Sequence, residues 1–258
     1  MISRNHLKEQ KEYKMLISIV TVCFNSEKTI RKTIESVLNQ TYKNIEYIIV
    51  DGLSKDNTLS IVEEYSNAFK EKGITYKMIS EKDNGIYDAM NKGIKLATGK
   101  FIALLNSDDW YESNAVETVV KTYEEEPFDM FYADIRIYKN DGSEMIKRSK
   151  HSKYATSRGW NHPTSFISKE IYDKMQYKAT GIYDDFDLLL RIKKAGYKIV
   201  IKNEVIANFC FGGASNSKSF KACKQRFTDR YRAYRDNGYS RLYVFECFMM
   251  EAAKFILG

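Results

Sequence analysis

Asp108 and Asp109 stand side by side directly after the apolar run FIALLN (101–106). Adjacent carboxylates at the end of a buried strand are hard oxygen donors, suited to Mg2+ or Mn2+ with phosphate oxygens and water completing the shell. A cation bridging a diphosphate is one reading, and Ser107 or Asp108 capping the next helix is the plainer one. A second acidic cluster, Asp184, Asp185 and Asp187, opens the helical pattern DDFDLLLRIKKAG (184–196). A capping-box-like pair from Asp184 to Asp187 and an i,i+4 pair from Asp187 to Arg191 account for two of these without chemistry. Asp185 is left over, and a carboxylate opposite a metal-bound leaving group can take the proton from an attacking hydroxyl.

Further polar candidates sit where apolar segments stop. Asn25 follows LISIVTVCF (16–24), and Asp51 closes IEYIIVD (45–51) ahead of Gly52. A carboxylate at Asp51 can accept from a nucleobase or ribose, or can simply form a turn. In EKDNGIYDAMNKG (81–93), Asn84-Gly85 reads as a turn before a helix whose N-terminus can face an anion. Asp88 and Asn91 lie three apart on one face of that helix, open between ligand and solvent. Trp160 can wall a sugar site, whereas a lone histidine such as His162 more often packs or hydrogen-bonds than binds a ligand. Gly212-Gly213-Ala214-Ser215 can bring backbone N–H groups to phosphates, or form an ordinary loop.

The elements that must position these residues alternate. The strand-length run 16–24 precedes a helix over 27–38, and 45–51 precedes an amphipathic stretch over 58–73 closed by Gly73. TYKMIS (75–80) is a third strand, followed by a helix over 86–98 that stops at Gly99, and 101–106 is a fourth. Strands alternating with helices predict an α/β fold with a mostly parallel sheet covered on both faces. Ligands of such sheets sit beyond the carboxyl ends of the strands, so the loops at Asn25, Asp51 and Asp108 converge on one cleft. After Asp109 the pattern is mixed: a helix over 113–125, a strand over 129–138, a turn at Asn140-Asp141-Gly142 and a further strand, a helix over 184–196, a strand over 197–203, and two helices from 216.

The chain has 258 residues, 43% of them hydrophobic, enough for one sizeable core and incompatible with a disordered tail. Forty-one Lys and Arg against thirty-four Asp and Glu leave +7, which suits anionic ligands or an anionic membrane face and does not by itself make a nucleic-acid binder. Cys23, Cys210, Cys223 and Cys247 are scattered without zinc spacing and read as reduced. The first thirteen residues lack an apolar core, which predicts no secretory signal and a cytoplasmic location. The terminal YVFECFMMEAAKFILG is broken by charges and too short to cross a bilayer. Residues 216–258 carry nine Lys and Arg against four Asp and Glu, with Lys221, Lys224, Arg226 and Arg230 set among Phe220, Phe227, Tyr231 and Tyr234. Such helices either rest on an anionic membrane surface or pack on the catalytic domain.

Taken in order, SIVTVCFNSEKTIRKTIESVLNQTY, IEYIIVDGLSKDNT, DNGIYDAMNKGIKLATGKFIALLNSDDWY, NHPTSFISKEIY, YDDFDLLLRIKKAGYKI and GGAS resemble the family 2 glycosyltransferases over about residues 16–215. These are inverting enzymes of the GT-A fold that use nucleotide-diphosphate sugars. The resemblance implies a polar lead (1–15), a nucleotide-sugar-binding half (16–110), an acceptor-binding half (111–215) and basic amphipathic C-terminal helices (216–258). It puts Asp51 at the uracil or ribose and makes Asp108 and Asp109 the DxD-type site for Mn2+ or Mg2+, with Asn106 in place of the first Asp. It makes Asp185 the base, with Asp184 where the family has Glu. Asn25, Asn84, Asp88, Asn91 and Asp108 then line the donor pocket, and Trp160, His162 and Asp184 fall on the acceptor or phosphate side. The implied reaction moves a hexosyl or N-acetylhexosaminyl group from a UDP-sugar to a hydroxyl of a glycan or polyprenyl-linked glycan during surface-polysaccharide synthesis, on the inner face of the plasma membrane. Two rival enzymes lack their signals, because CFNSEKTIRK has neither a nucleotidyltransferase's glycines nor the GxGxxG of a dehydrogenase. A protein that binds sugar nucleotide without transfer is the remaining alternative, and catalysis decides it.

Overall fold

The computed structural model describes residues 15–210 and 219–257. In chain order the first elements are β1 (Ile17–Cys23), α1 (Ile30–Leu38), β2 (Ile45–Asp51), α2 (Thr58–Glu64), α3 (Ser66–Glu71), β3 (Thr75–Ser80), α4 (Ile86–Leu96) and β4 (Phe101–Leu104). There follow β5 (Trp110–Tyr111), α5 (Ala115–Glu125), β6 (Met130–Tyr138), β7 (Glu144–Lys147), β8 (Phe166–Ser168), α6 (Lys169–Lys174), α7 (Asp184–Lys194), β9 (Ile199–Cys210), α8 (Phe220–Asp236) and α9 (Tyr243–Leu257).

One sheet runs β3-β2-β1-β4-β8-β6-β9-β5, with β7 paired to β6. The first four strands are parallel, and Cys23 is in register with Asp51 and Asp51 with Ser80. The antiparallel insertion of β8 between β4 and β6 begins the mixed half. Alternate side chains of the parallel strands feed opposite faces. Ile17, Ile19 and Ile49 pack with Ile34, Val37, Phe69 and Val119, while Val20, Ile48 and Val50 pack with Met90, Ile94, Phe186 and Leu189. The α/β expectation holds because strands buried on both faces must be nearly continuous apolar runs.

Three details differ from the sequence reading. The amphipathic stretch after Asn57 is two helices meeting at Tyr65, whose hydroxyl is tied to α1 through Glu35 and Arg31. β5, β8 and α6 are too short to carry a readable period. β9 extends to Cys210 because it pairs along the whole of β6, across a bulge at Asp134.

Gly93 sets how closely α4 approaches the sheet. A Cβ there would stand 2.2 Å from Val20 Cγ1 and 3.2 Å from Val50 Cγ2. Gly93→Ala should therefore lower stability by about 1–3 kcal/mol through overpacking, although alanine is the better helix former. A urea titration monitored by circular dichroism checks it, and an unchanged midpoint would refute the close-approach argument.

The C-terminal helices pack on the domain more than the basic pattern of α8 implies. Tyr234 is buried against Phe186 and stacked on Tyr243, and Arg226 and Arg230 are buried. These two arginines are thus not on a membrane-facing surface. The outward apolar residues are Phe220 at the start of α8 and, on α9 and its entry, Leu242, Phe245, Phe248 and Met249. Among the described residues no helix is long and apolar enough to cross a membrane.

Candidate active site

The carboxyl edge of the parallel strands is laced into a single polar floor. Asp51, at the end of β2, is fully buried and accepts from the Ser80 hydroxyl at 2.6 Å, the Ser54 N–H at 3.0 Å and the Ser54 hydroxyl. The Cys23 thiol reaches the same carboxylate at 3.7 Å, and burial followed by the Asp51 charge pushes that thiol's pKa far up, so Cys23 is a packed, inert thiol. Asn25 has φ of 50°, a left-handed conformation that asparagine tolerates, and its side-chain oxygen accepts from the Lys55 N–H at 2.8 Å. Its amide reaches inward to the next loop rather than outward. Ser26 donates its N–H to Thr58 at 2.7 Å and its hydroxyl pairs with Ser107 at 2.8 Å, which joins the β1, β2 and β4 loops.

The two adjacent aspartates are placed differently. Asp108 is half-buried, whereas Asp109 is 0% exposed. Asp109 accepts from the Cys210 N–H at 3.3 Å and from the Asn106 amide at 3.4 Å, and its carbonyl holds the Thr33 hydroxyl at 2.6 Å. Burial raises the pKa of Asp108, and burial together with the Asp108 charge raises that of Asp109 well above the ordinary carboxylate range. The Asn106 side-chain oxygen is buried without a partner beside them. An orphaned oxygen next to two carboxylates held up in pKa is a donor set lacking positive charge, and a hard divalent cation fits it. Among the described residues no group of three His, Cys, Asp or Glu converges as a closed metal cage, so ligand oxygens would have to complete the shell.

At the acidic cluster the helix cap is Tyr183, and the expected pairing of Asp184 with Asp187 does not form. Asp184 is buried and accepts from the Thr180 N–H at 2.6 Å, bracing the preceding turn because that turn's amides would otherwise be unpaired. Asp187 is buried and takes Lys178 at 2.8 Å, Asn237 at 2.7 Å and, as expected, Arg191 at 2.9 Å. Asp185 is half-buried and accepts from the neighbouring Phe186 N–H at 2.7 Å, with the Tyr87 hydroxyl beside it. The Asp185 charge reaches Tyr87, whose hydroxyl pKa is raised first by burial and then by Asp185, and His162, whose pKa is lowered by burial against the Asp185 charge.

The remaining candidates divide between scaffold and cleft. Asn91 donates to the Tyr177 carbonyl at 2.8 Å and accepts from its N–H at 3.1 Å, so its amide is spent holding the Tyr177 segment rather than lining a pocket. Asp88 accepts from the Asn84 N–H at 2.9 Å and closes the turn before α4, leaving the Asn84 side chain exposed. Trp160 is 6% exposed, donates to Ser165 at 2.8 Å and meets His162 edge-on at 5.6 Å; it braces the histidine and does not wall an open site. His162 pairs with the Tyr177 hydroxyl at 3.3 Å. The glycine loop at Gly212-Gly213-Ala214-Ser215 lies outside the described residues.

Three residues escaped the sequence reading. Phe24 is 59% exposed at the end of β1 beside Gly52, offering an aromatic face at the cleft mouth; a lone aromatic closing a buried strand was the available signal. Tyr87 and Tyr177, with ring centroids 5.2 Å apart, tie α4 to the loop before α7. Nothing in their local spacing announces that pairing, which depends on the tertiary fold.

Residues 18–193 match the family model described as glycosyl transferase family 2. The chain is 34% identical over 128 residues to the Escherichia coli UDP-Glc:alpha-D-GlcNAc-diphosphoundecaprenol beta-1,3-glucosyltransferase WfaP. That match covers 48% of this chain and 48% of the relative, so the chain spans about half the length of that curated protein. Among solved structures, S. aureus TarS 1-349 in complex with UDP-GlcNAc superposes with a TM-score of 0.66 at 18% identity, over 94% of this chain and 72% of that one. Mannosyltransferase PcManGT from Pyrobaculum calidifontis in complex with GDP-Man and Mn2+ gives 0.66 at 14% identity, over 96% and 71%. The shared architecture is the GT-A fold, and with the family match over most of its sheet the chain belongs to glycosyl transferase family 2.

Proposed function

We propose that the chain is an inverting glycosyltransferase that moves a sugar from a UDP-sugar to a hydroxyl of a glycan or lipid-linked glycan. The observation that carries this reading is the allocation of carboxylates: Asp184 and Asp187 are buried and spent, while Asp185 at the head of α7 and Asp108 after β4 stay half-buried and, among the described residues, without an ion-pair partner. Phe24 would stack on the base, and the Asp51 floor would hold the nucleoside. Asp108, backed by Asp109, would hold a Mn2+ or Mg2+ ion that neutralises negative charge on the diphosphate. Asp185 accepts the proton of the acceptor hydroxyl as its oxygen bonds to the anomeric carbon. The bond from that carbon to the diphosphate oxygen breaks on the opposite face, inverting the centre. Excluding water from the site strengthens each of these interactions.

The donor assignment is tested by calorimetric titration with UDP, GDP and dTDP, each with Mn2+ and with EDTA. Metal-dependent binding of UDP is the expected result, and no binding of any nucleotide would reduce the protein to a carbohydrate binder.

The acceptor named for the E. coli relative is lipid-linked. The outward face of α9 supports the same class here, through an anionic membrane surface that Phe245 and Phe248, exposed by 66% and 65%, can enter. Replacing both by Ser should weaken sedimentation with anionic liposomes at least tenfold with the melting temperature unchanged, since about 0.8 kcal/mol is lost per CH2 withdrawn from lipid. Undiminished partitioning would leave α9 a packing element alone.

A further inference from the structure

We propose that Asp229, on α8, is a positioning residue for sugar transfer: it clamps the loop over residues 179–183 and so fixes where the Asp185 carboxylate meets the acceptor hydroxyl. This rests on the reading that Asp185 takes the acceptor's proton. The cap of α7 is Tyr183, which makes no side-chain cap hydrogen bond, so the place of Asp185, two residues on, is set by whatever holds the preceding loop. Most of that hold comes from one helix distant in sequence. Asp229 is 4% exposed, and its Oδ2 accepts from the Ile182 N–H at 3.1 Å. The same carboxylate is fixed along α8 itself, by Arg232 at 2.6 Å and Gln225 at 2.7 Å. Arg232 also donates to the Thr180 carbonyl at 3.4 Å, and Arg230 lies 4.5 Å over the Tyr183 ring and donates to its hydroxyl. From α4 the Tyr87 hydroxyl donates to the Ile182 carbonyl at 3.2 Å, so both main-chain groups of Ile182 are held by side chains.

Two features of the loop show how closely it is drawn to α8. A Cβ on Gly181 would stand 2.8 Å from Asp229 Oδ2 and 2.9 Å from its Cγ, so glycine is what lets the carboxylate reach the next amide. Ala179 has φ of 55°, a left-handed conformation that a residue with a Cβ keeps only when its surroundings impose it. The bond to the loop is separable from the docking of α8, which has its own attachments. Tyr234 donates to the Ala155 carbonyl at 2.7 Å and packs on Phe186, and Asn237 donates to Asp187 at 2.7 Å. Releasing Asp229 therefore frees the loop without detaching the helix. The consequence falls on the chemistry, because a base acts only within hydrogen-bond reach of the proton it takes, and a misplacement of about 1 Å can cost about 10²-fold in rate.

The test is transfer from a radiolabelled UDP-sugar to a lipid-linked glycan, resolved into kcat and KM, beside hydrogen exchange of the full chain. Asp229→Ala should lower kcat about 10- to 100-fold with KM for the UDP-sugar within about twofold. Amides of residues 179–183 should exchange faster while those of α8 keep their protection. Asp229→Asn, which retains an oxygen for the Ile182 N–H, should recover most of the lost kcat. Gly181→Ala leaves every hydrogen-bonding group in place and should also lower kcat, yet cost nothing further when added to Asp229→Ala, since both act on one contact. Unchanged kcat in Asp229→Ala, equal losses in its Ala and Asn variants, a loss accompanied by lost protection of α8, or costs that multiply in the double variant would each overturn the assignment. Should Asp229→Ala not fold, Gly181→Ala decides alone, and parent-level kcat there overturns it. Transfer lost in Asp185→Asn and kept in Asp229→Ala would sink only the positioning role, whereas transfer kept in Asp185→Asn would sink the base reading itself.

Discussion

Asp185→Asn should lower the rate of sugar transfer by about 10²–10⁴-fold, the range over which a positioned general base contributes, while UDP affinity stays within twofold of the parent. The substitution preserves shape, and the amide oxygen can still accept from the Phe186 N–H that now holds the carboxylate at 2.7 Å. What disappears is the capacity to take a proton. The neighbours do not replace it: burial lowers the His162 pKa, but that ring is turned to the Tyr177 hydroxyl at 3.3 Å, and the Tyr87 hydroxyl is held by burial in its protonated form. Single-turnover transfer with radiolabelled UDP-sugar, beside calorimetry with UDP, separates chemistry from binding. Turnover near the parent level would place the base elsewhere. The contrast with Asp184→Asn is informative, because Asp184 braces the Thr180 turn and its loss should appear first as a lowered melting temperature.

Asp108→Ala should cost about 10²–10³-fold in kcat and abolish the metal dependence of UDP binding, as expected when charge stabilisation of a leaving group is removed. The same pair of aspartates gives a pH signature. Burial and Asp108 raise the Asp109 pKa in the folded chain above its unfolded value. The folded state therefore holds its proton more tightly, and stability declines as pH rises from the unfolded pKa, about 3.9, toward the folded one. A divalent cation reverses that penalty by favouring the ionised form and releases protons as it binds. The rise in melting temperature caused by Mn2+ with UDP should consequently be larger at pH 8 than at pH 6, and absent in Asp108→Ala. Differential scanning fluorimetry at the two pH values checks this, and an equal rise in the variant would exclude Asp108 as a ligand.

Much of this molecule could be read before its fold was known. β2 and β3 coincide with their predicted runs, and β1 and β4 lie within theirs; β1, β2 and β4 are buried throughout and read as largely apolar runs, while the edge strand β3 is only half-buried. Parallel pairing then brings Asp51 and the Asp108 loop to one edge, which follows from alternation alone. The short strands β5 and β8 and the split at Tyr65 were illegible, since two or three residues have no period and a helix break set by contacts to α1 leaves no local mark.

The partition of polar side chains was decided by the tertiary structure. Asn91 looks identical in sequence whether it faces a ligand or, as here, the main chain of Tyr177, 86 residues away. Asp108 and Asp109 are equivalent as a dipeptide, yet one stays half-buried while the other is sealed beneath the end of β9. Arg230 reads as part of a basic surface helix and is instead buried over Tyr183. Residue type and hydrophobic period, which are local, determined the sheet, its covered faces and the loops that bear acidic residues. Which of those acids remain available is set by hydrogen-bond partners remote in sequence, because a buried polar group must be satisfied by whatever the fold brings beside it.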